Sequence, residues 1–215
     1  EGLADLAAVM PAQPDIVAYP KAESPEDMQE LDAALTRHEQ RLGWPVGRTR
    51  ILPVCETALG VVQVRALASA SQRIQHALLG AEDLAADLLA ERSREAVELQ
   101  HARQRFVLEC RAARIEPIDA PYTFSDPQGA AAEARYARRL RYRCKSLVRV
   151  GHAAVVLAAL VPTDDEIRLA RQRVTAFEAA RAAGHERALV DGLWVEVPTY
   201  LNARRMLEQA LSEAP

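Results

Sequence analysis

Two short apolar runs in this chain end in carboxylates. Ile51-Leu52-Pro53-Val54-Cys55 runs into Glu56, and Ala77-Leu78-Leu79-Gly80-Ala81 runs into Glu82 and Asp83. About one strand–helix unit separates the two ends. Neighbouring strands of a sheet lie about 4.8 Å apart. Acidic side chains at the carboxyl ends of adjacent parallel strands can therefore share one hard cation. Oxygen ligands that leave positions open for water or substrate suit Mg²⁺. Glu56 and Asp83 are the candidate metal ligands. Taken singly, each has a plainer reading: Glu56 as a loop salt-bridge partner, Asp83 as a helix N-cap. Glu82 and Asp87 read as solvated acids or as outer supports of the site.

The elements that must position these carboxylates follow one another in a regular order. Asp15–Lys21 reads as a buried strand and its loop. Ser24, Pro25 and Asp27 open a helix whose apolar face is Met28, Leu31, Leu35 and Leu42. Ile51–Val54 is a second strand, Val61–Ala70 a second helix and Ile74–Leu79 a third strand. A long helix follows over 93–114, with Val97, Phe106, Val107 and Cys110 facing inward. Ile115–Ala120 is a fourth strand, Gln128 to Leu140 a helix, and Ser146–Val150 a fifth strand. Thr163-Asp164-Asp165-Glu166 forms a capping box for a late helix that Gly184 stops. A polar loop through Asp191 and Glu196 leads to a last helix from Pro198. Alternating strands and helices predict a parallel sheet, with the chemistry at the carboxyl ends of its strands. Glu56, Asp83, Tyr122 and Asp126 all fall there. A closed (β/α)8 barrel needs eight strands, so five leave two readings: a barrel without its opening strands, or an open sheet.

Composition narrows the class of protein. The 215 residues are 49% apolar and 27% charged, with a net charge of −3. That balance gives no general reason to expect a nucleic acid or an acidic membrane as partner. Cys55, Cys110 and Cys144 lack metal-binding spacing and read as reduced thiols of a cytoplasmic protein. The longest apolar run, Ala153–Val161, is too short for a span of roughly 20 residues and reads as a core element. No signal peptide is visible. The basic run from Arg135 to Lys145 reads as a solvated helix face, with a grip on phosphates as its sharper alternative. His76, His101, His152 and His185 have no metal spacing among them.

Several stretches, in order, resemble one family. They are Pro20-Lys21-Ala22-Glu23-Ser24, Pro53-Val54-Cys55-Glu56-Thr57-Ala58-Leu59-Gly60-Val61 and Gly80-Ala81-Glu82-Asp83-Leu84-Ala85-Ala86-Asp87. Phe124–Gly129 with Glu133-Ala134-Arg135, and Pro162–Ile167 with Ala170-Arg171, continue the match. The set is similar to the citrate lyase beta subunit and the malyl-CoA and citramalyl-CoA lyases of the HpcH/HpaI aldolase superfamily. The resemblance implies a (β/α)8 barrel of the TIM type, here without its first strands, that uses Mg²⁺ to cleave or form a carbon–carbon bond beside a carbonyl. It implies 3-hydroxyacyl thioesters on CoA or a carrier protein as substrates. It marks Glu56 and Asp83 as the metal ligands. Backbone N–H groups at Gly80, Ala81 and Glu82, where a helical turn begins, are candidates for a substrate carboxylate. Glu196 stands where the family has an Asp that enters a neighbouring subunit's site, so it is a candidate acid/base in a trimer or hexamer. Lys145 matches a family Gly-Lys pair, whereas Val148-Arg149-Val150 stands where the family has Ile-His-Pro. The expected layout is a barrel core over 1–190 and a lid or oligomerisation segment over 191–215. Two competing readings stay open: a non-catalytic binding relative, and a class II oxo-acid aldolase without CoA.

Overall fold

The computed structural model describes residues 2–212. The chain falls into two compact units, Glu1–Leu160 and Val161–Pro215. The late helix, residues 164–182, groups with the C-terminal segment.

The first unit opens with α1 (Gly2–Val9), a helix that no cap or motif announces, and β1 (Ile16–Tyr19). There follow α2 (Pro25–Leu42), β2 (Arg50–Cys55), α3 (Ala58–Ser69), β3 (His76–Leu79) and the short α4 (Glu82–Asp87). Next come α5 (Gln100–Ala113), β4 (Glu116–Asp119), α6 (Pro127–Arg139), the two-residue β5 (Cys144–Lys145) and α7 (Ala153–Leu160). Among the described residues the five strands pair in parallel in the order β1-β2-β3-β4-β5. A strand order that follows the chain without reversal is the winding of a barrel wall; a doubly wound sheet reverses. Within the described residues this is an arc of five strands, not a closed ring.

Local chemistry sets the helix ends. Ser24 Oγ accepts from the N–H groups of Glu26 (3.1 Å) and Asp27 (3.3 Å), and Pro25 takes the first helical position. Thr57 Oγ1 accepts from Gly60 N–H at 3.1 Å and starts α3 directly after the Glu56 strand end. Asp126 caps α6 through Gly129 N–H at 2.7 Å. The core joins β2 and β3 to α2, α3 and α5 through Met28, Leu35, Ile51, Leu79, Phe106 and Cys110, all fully buried.

Four expectations for the first unit are corrected. β1 is half-buried at best, with Ile16 49% exposed, and among the described residues it is an edge strand paired only with β2. Val97 lies in a 3-10 turn ahead of α5 and is 62% exposed. The fifth strand is Cys144–Lys145, not Ser146–Val150; Lys145 is the residue whose side chain turns into the core, and Val150 stands 93% exposed in a 3-10 turn. The run Ala153–Val161 is an amphipathic surface helix rather than a buried one: Val156 and Leu160 pack inward while Leu157 is 63% exposed.

The second unit contains α8 (Asp164–Ala182), β6 (Ala188–Val190), β7 (Leu193–Val195) and α9 (Val197–Ser212). Both arms of the Thr163–Glu166 capping box form. The expected polar loop is instead a hairpin. Asp191 and Gly192 have φ of 50° and 74°, so both central residues have the positive φ that a two-residue hairpin turn of the I′ type requires. Phe177 stacks on Tyr200 with ring centroids 4.7 Å apart, and Tyr200 donates to Glu178 at 2.9 Å.

Candidate functional site

Glu56 is the residue immediately after β2, and Gly80 the residue immediately after β3. The register pairs Cys55 with Leu79, so Glu56 and Gly80 stand side by side. Gly80 N–H donates to Cys55 O at 3.0 Å, which pins the two strand ends together. A Cβ on Gly80 would lie 2.4 Å from Glu56 Cβ and 3.0 Å from its Oε2. The missing side chain at Gly80 is thus the space that Glu56 occupies. The same hydrogen bond engages the Gly80 N–H, which corrects its assignment as a free donor for a substrate carboxylate. Ala81 is buried and Glu82 exposed at the start of α4.

Asp83 is the second residue of α4, whose N-cap position is Ala81. Its carboxylate is exposed, 3.4 Å from Lys21 Nζ. Lys21 N–H donates to Glu56 Oε1 at 3.0 Å. One residue, in the loop after β1, therefore touches both candidate ligands. Its backbone sits at φ 48°, and Ala22 N–H fixes the loop to Val54 O at 3.0 Å. In the sequence Lys21 belongs to a family motif, but its spacing from Glu56 and Asp83 assigns it no role.

Around this pair the loops are tied down. Asp87 accepts from Ala58 N–H at 2.7 Å, which joins the end of α4 to the start of α3 and gives Asp87 a partner instead of free solvent. Arg92 donates to Glu82 at 3.1 Å and also pairs with Glu98. Thr123, in the loop after β4, donates to the same Glu82 oxygen. Burial opposes ionisation of Glu98, but the hydroxyl and N–H of Ser93 and the Arg92 guanidinium outweigh it and bring the carboxyl down to about 2. Cys55 is buried, and burial, aided by the Glu56 charge, pushes its thiol up to about 12. It is a core residue rather than a nucleophile.

One buried cluster joins two residues of the family motifs, Glu133 and Lys145, to two that no motif singles out, Arg103 and Asp119. Asp119 ends β4, where Arg103 of α5 grips it with two bonds of 2.9 and 2.7 Å. Lys145, fully buried, donates to Asp119 at 2.7 Å and to Glu133 at 2.6 Å. Tyr142 donates to Arg103 O at 2.8 Å. The partners come from α5, β4, α6 and β5, so no local spacing announces them. Of the histidines, His152 is buried and bonded to Ser125 O at 3.1 Å. Glu196 lies in the second unit, exposed and 3.9 Å from Arg187.

Among the described residues no three His, Cys, Asp or Glu side chains are grouped closely enough to enclose a metal. The two carboxylates nevertheless fit a hard divalent cation in their donor chemistry. Both offer oxygen, Asp83 is open to solvent, and the Lys21 ammonium already sits against Asp83 as a positive charge.

Residues 2–149 match the family described as HpcH/HpaI aldolase/citrate lyase. The citrate lyase subunit beta of Haemophilus influenzae is 32% identical over 212 residues, covering 98% of this chain and 73% of that protein. The mitochondrial citramalyl-CoA lyase of Rattus norvegicus is 25% identical, over 97% of this chain and 65% of the relative. Among solved structures, the CitE protein of Mycobacterium tuberculosis in complex with magnesium, acetoacetate and coenzyme A aligns with a TM-score of 0.78. That match is 25% identical and covers 96% of this chain and 72% of the other.

Proposed function

The chain belongs to the HpcH/HpaI aldolase/citrate lyase family, and from that membership we propose that it is a Mg²⁺-dependent carbon–carbon lyase. Its substrate is a short 3-hydroxyacyl thioester of the citryl, malyl or citramalyl kind, carried on CoA or an acyl carrier protein. The names and ligands of the relatives support this class. The observation that carries the reading is the convergence of Glu56 and Asp83 on Lys21 at the ends of adjacent parallel strands.

Glu56 and Asp83 would hold the metal. A divalent ion held there would supply polarisation of the substrate carbonyl and stabilisation of negative charge on its oxygen. Gly80 gives Glu56 its room, and its bond to Cys55 fixes the strand end. The N–H groups of Ala81 and Glu82 face the start of α4, where an anionic group of the substrate is favoured. Arg92 and Thr123 hold Glu82 and so steady the turn that carries Asp83. Glu196 serves as an acid/base in a neighbouring subunit of a trimer or hexamer, and the segment over 191–215 is the lid or assembly element.

A binding-only relative is the second reading. It is favoured by Val148-Arg149-Val150, where the family carries Ile-His-Pro, and by Lys145, whose charge is spent on Asp119 and Glu133 inside the core. One assay separates the two: Mg²⁺-dependent release of acetyl-CoA from malyl-CoA and citramalyl-CoA, with Glu56→Ala and Asp83→Ala beside the native chain. Turnover that vanishes in both variants establishes the lyase. Metal binding without turnover, lost in both variants, leaves a metal-binding relative that acts on another substrate or is no longer an enzyme. Preference for a free oxo-acid over the thioester moves the chain to the class II aldolases.

A further inference from the structure

Lys21 is an unusual neighbour for a metal site. Its N–H bonds to one candidate ligand and its ammonium pairs with the other. The left-handed backbone, φ 48°, is sparsely populated for a residue with a side chain, and such conformations persist where the surroundings impose them. Here the imposing contacts are Lys21 N–H to Glu56 and Ala22 N–H to Val54. With the backbone held by these two bonds, the side chain remains 61% exposed, and its partner Asp83 is 56% exposed. An ion pair this open contributes little to folding. The two halves of the residue therefore differ in character: a backbone donor held by the fold and a solvent-exposed charge.

We propose that the Lys21 ammonium is an exchangeable counter-ion. It neutralises Asp83 while the carboxylate pair holds no metal. It yields Asp83 to a divalent cation and then takes a carboxylate oxygen of the anionic substrate. The inference rests on the metal reading above and assigns to Lys21 a task that reading leaves open. The charges balance at each stage. Asp83 always has one cation beside it, and the displaced ammonium acquires an anionic partner when substrate arrives. An oxo-acid or acyl group with a free carboxylate is thereby preferred to its amide or ester.

The test uses the full chain and Mn²⁺ alone as probe, followed at low ionic strength by titration calorimetry, and then pyruvate added to the Mn²⁺-loaded protein. Lys21→Met keeps the backbone N–H and the apolar stem but removes the charge. It is expected to bind Mn²⁺ about two- to fivefold more tightly, the size of an exposed ion pair removed from competition. Lys21→Arg keeps the charge and is expected to stay near the native value. Pyruvate binding to the loaded protein is expected to weaken about tenfold in Lys21→Met, as a charge-assisted bond is lost. Mn²⁺ affinity in Lys21→Met equal to or below the native value, with the native chain binding Mn²⁺, overturns the proposal and leaves the metal reading standing. Tighter Mn²⁺ with unchanged pyruvate affinity overturns the substrate half. No Mn²⁺ binding by any of the proteins, or native-like binding in Glu56→Ala and Asp83→Ala, removes the metal reading and the proposal with it.

Discussion

Gly80→Ala is the substitution for which the structure makes the sharpest demand. The added Cβ would lie 2.4 Å from Glu56 Cβ, 3.3 Å from its Cα and 3.0 Å from Oε2. Carbon atoms settle about 3.5–4.0 Å apart, so roughly 1 Å of extra separation must be found. Rotating Glu56 cannot supply it, because two of the three crowded atoms lie at the base of its side chain. Moving Gly80 stretches the 3.0 Å bond from its N–H to Cys55 O. The strand end therefore shifts, at a cost of about 1–3 kcal/mol for overpacking. A carboxylate displaced by about 1 Å leaves the ±0.2 Å tolerance of a metal–ligand distance. Affinity for Mg²⁺ or Mn²⁺ is then expected to fall about 10–100-fold, the range seen when a ligand's supporting group is removed. Urea unfolding and metal titration on the same protein read the two effects separately. Gly151→Ala is the control, since a Cβ there meets nothing within 4 Å; its stability should stay within about 0.5 kcal/mol of native. A Gly80→Ala protein that matches the native chain in both stability and metal affinity would refute the placement of Glu56 against Gly80.

Glu39 is fully buried, and burial opposes its ionisation. Arg73, at 2.9 and 2.8 Å, and the N–H groups of Thr49 and Gly47, each at 2.8 Å, outweigh that and bring its carboxyl down to about 2. A depressed folded value means the stabilisation is complete above the ordinary Glu range near about 4.3 and drains as pH falls towards about 2. Unfolding free energy should fall between about pH 5 and about pH 2, and Glu39→Gln should flatten that dependence; equal slopes in the two proteins exclude Glu39 as its source. Glu39→Ala at neutral pH leaves Arg73 buried with Asp32 as its remaining carboxylate partner and should cost about 3–5 kcal/mol in urea unfolding. Thr163→Ala removes the cap of α8 and should cost about 1 kcal/mol; helix content and unfolding midpoint unchanged from native would show the box to be idle.

Much of the first unit is legible in residue order because its signals are local. Ser24-Pro25 announces a helix start through a side-chain oxygen that reaches N–H groups two and three residues on, as Thr163 does in the second unit; the Thr57 cap, which starts α3 ahead of the expected Val61, emerges only in the structure. The apolar runs before Glu56 and Gly80 are short and continuous, and in the structure one face of each is buried and the other part-covered. The hairpin that stands in place of the expected polar loop has its own local sign, Asp191-Gly192, the dipeptide that tolerates two successive positive φ angles. The fifth strand has a misleading one. Leu147, Val148 and Val150 carry strand propensity, yet 93% of Val150 faces solvent, and propensity yields when packing lies elsewhere. Val97 misleads for a related reason: it is apolar and close to α5 in the chain, but it lies about two and a half helical turns before Phe106, on the opposite side of the period, and precedes the first turn.

The sequence by itself determined the alternation of strands and helices, the two carboxylates at the ends of neighbouring strands, and the family in which that pattern recurs. These depend on period, caps and motif, all carried by residues close together in the chain. Tertiary structure alone decided that Lys21 touches both carboxylates, that Gly80 makes room for Glu56, and that Arg103, Asp119, Glu133 and Lys145 share one buried cluster. Those partners are brought together by parallel register and by helices crossing the sheet. A pairing between residues dozens of positions apart has no period or spacing to betray it; the residues meet only once the strands lie side by side.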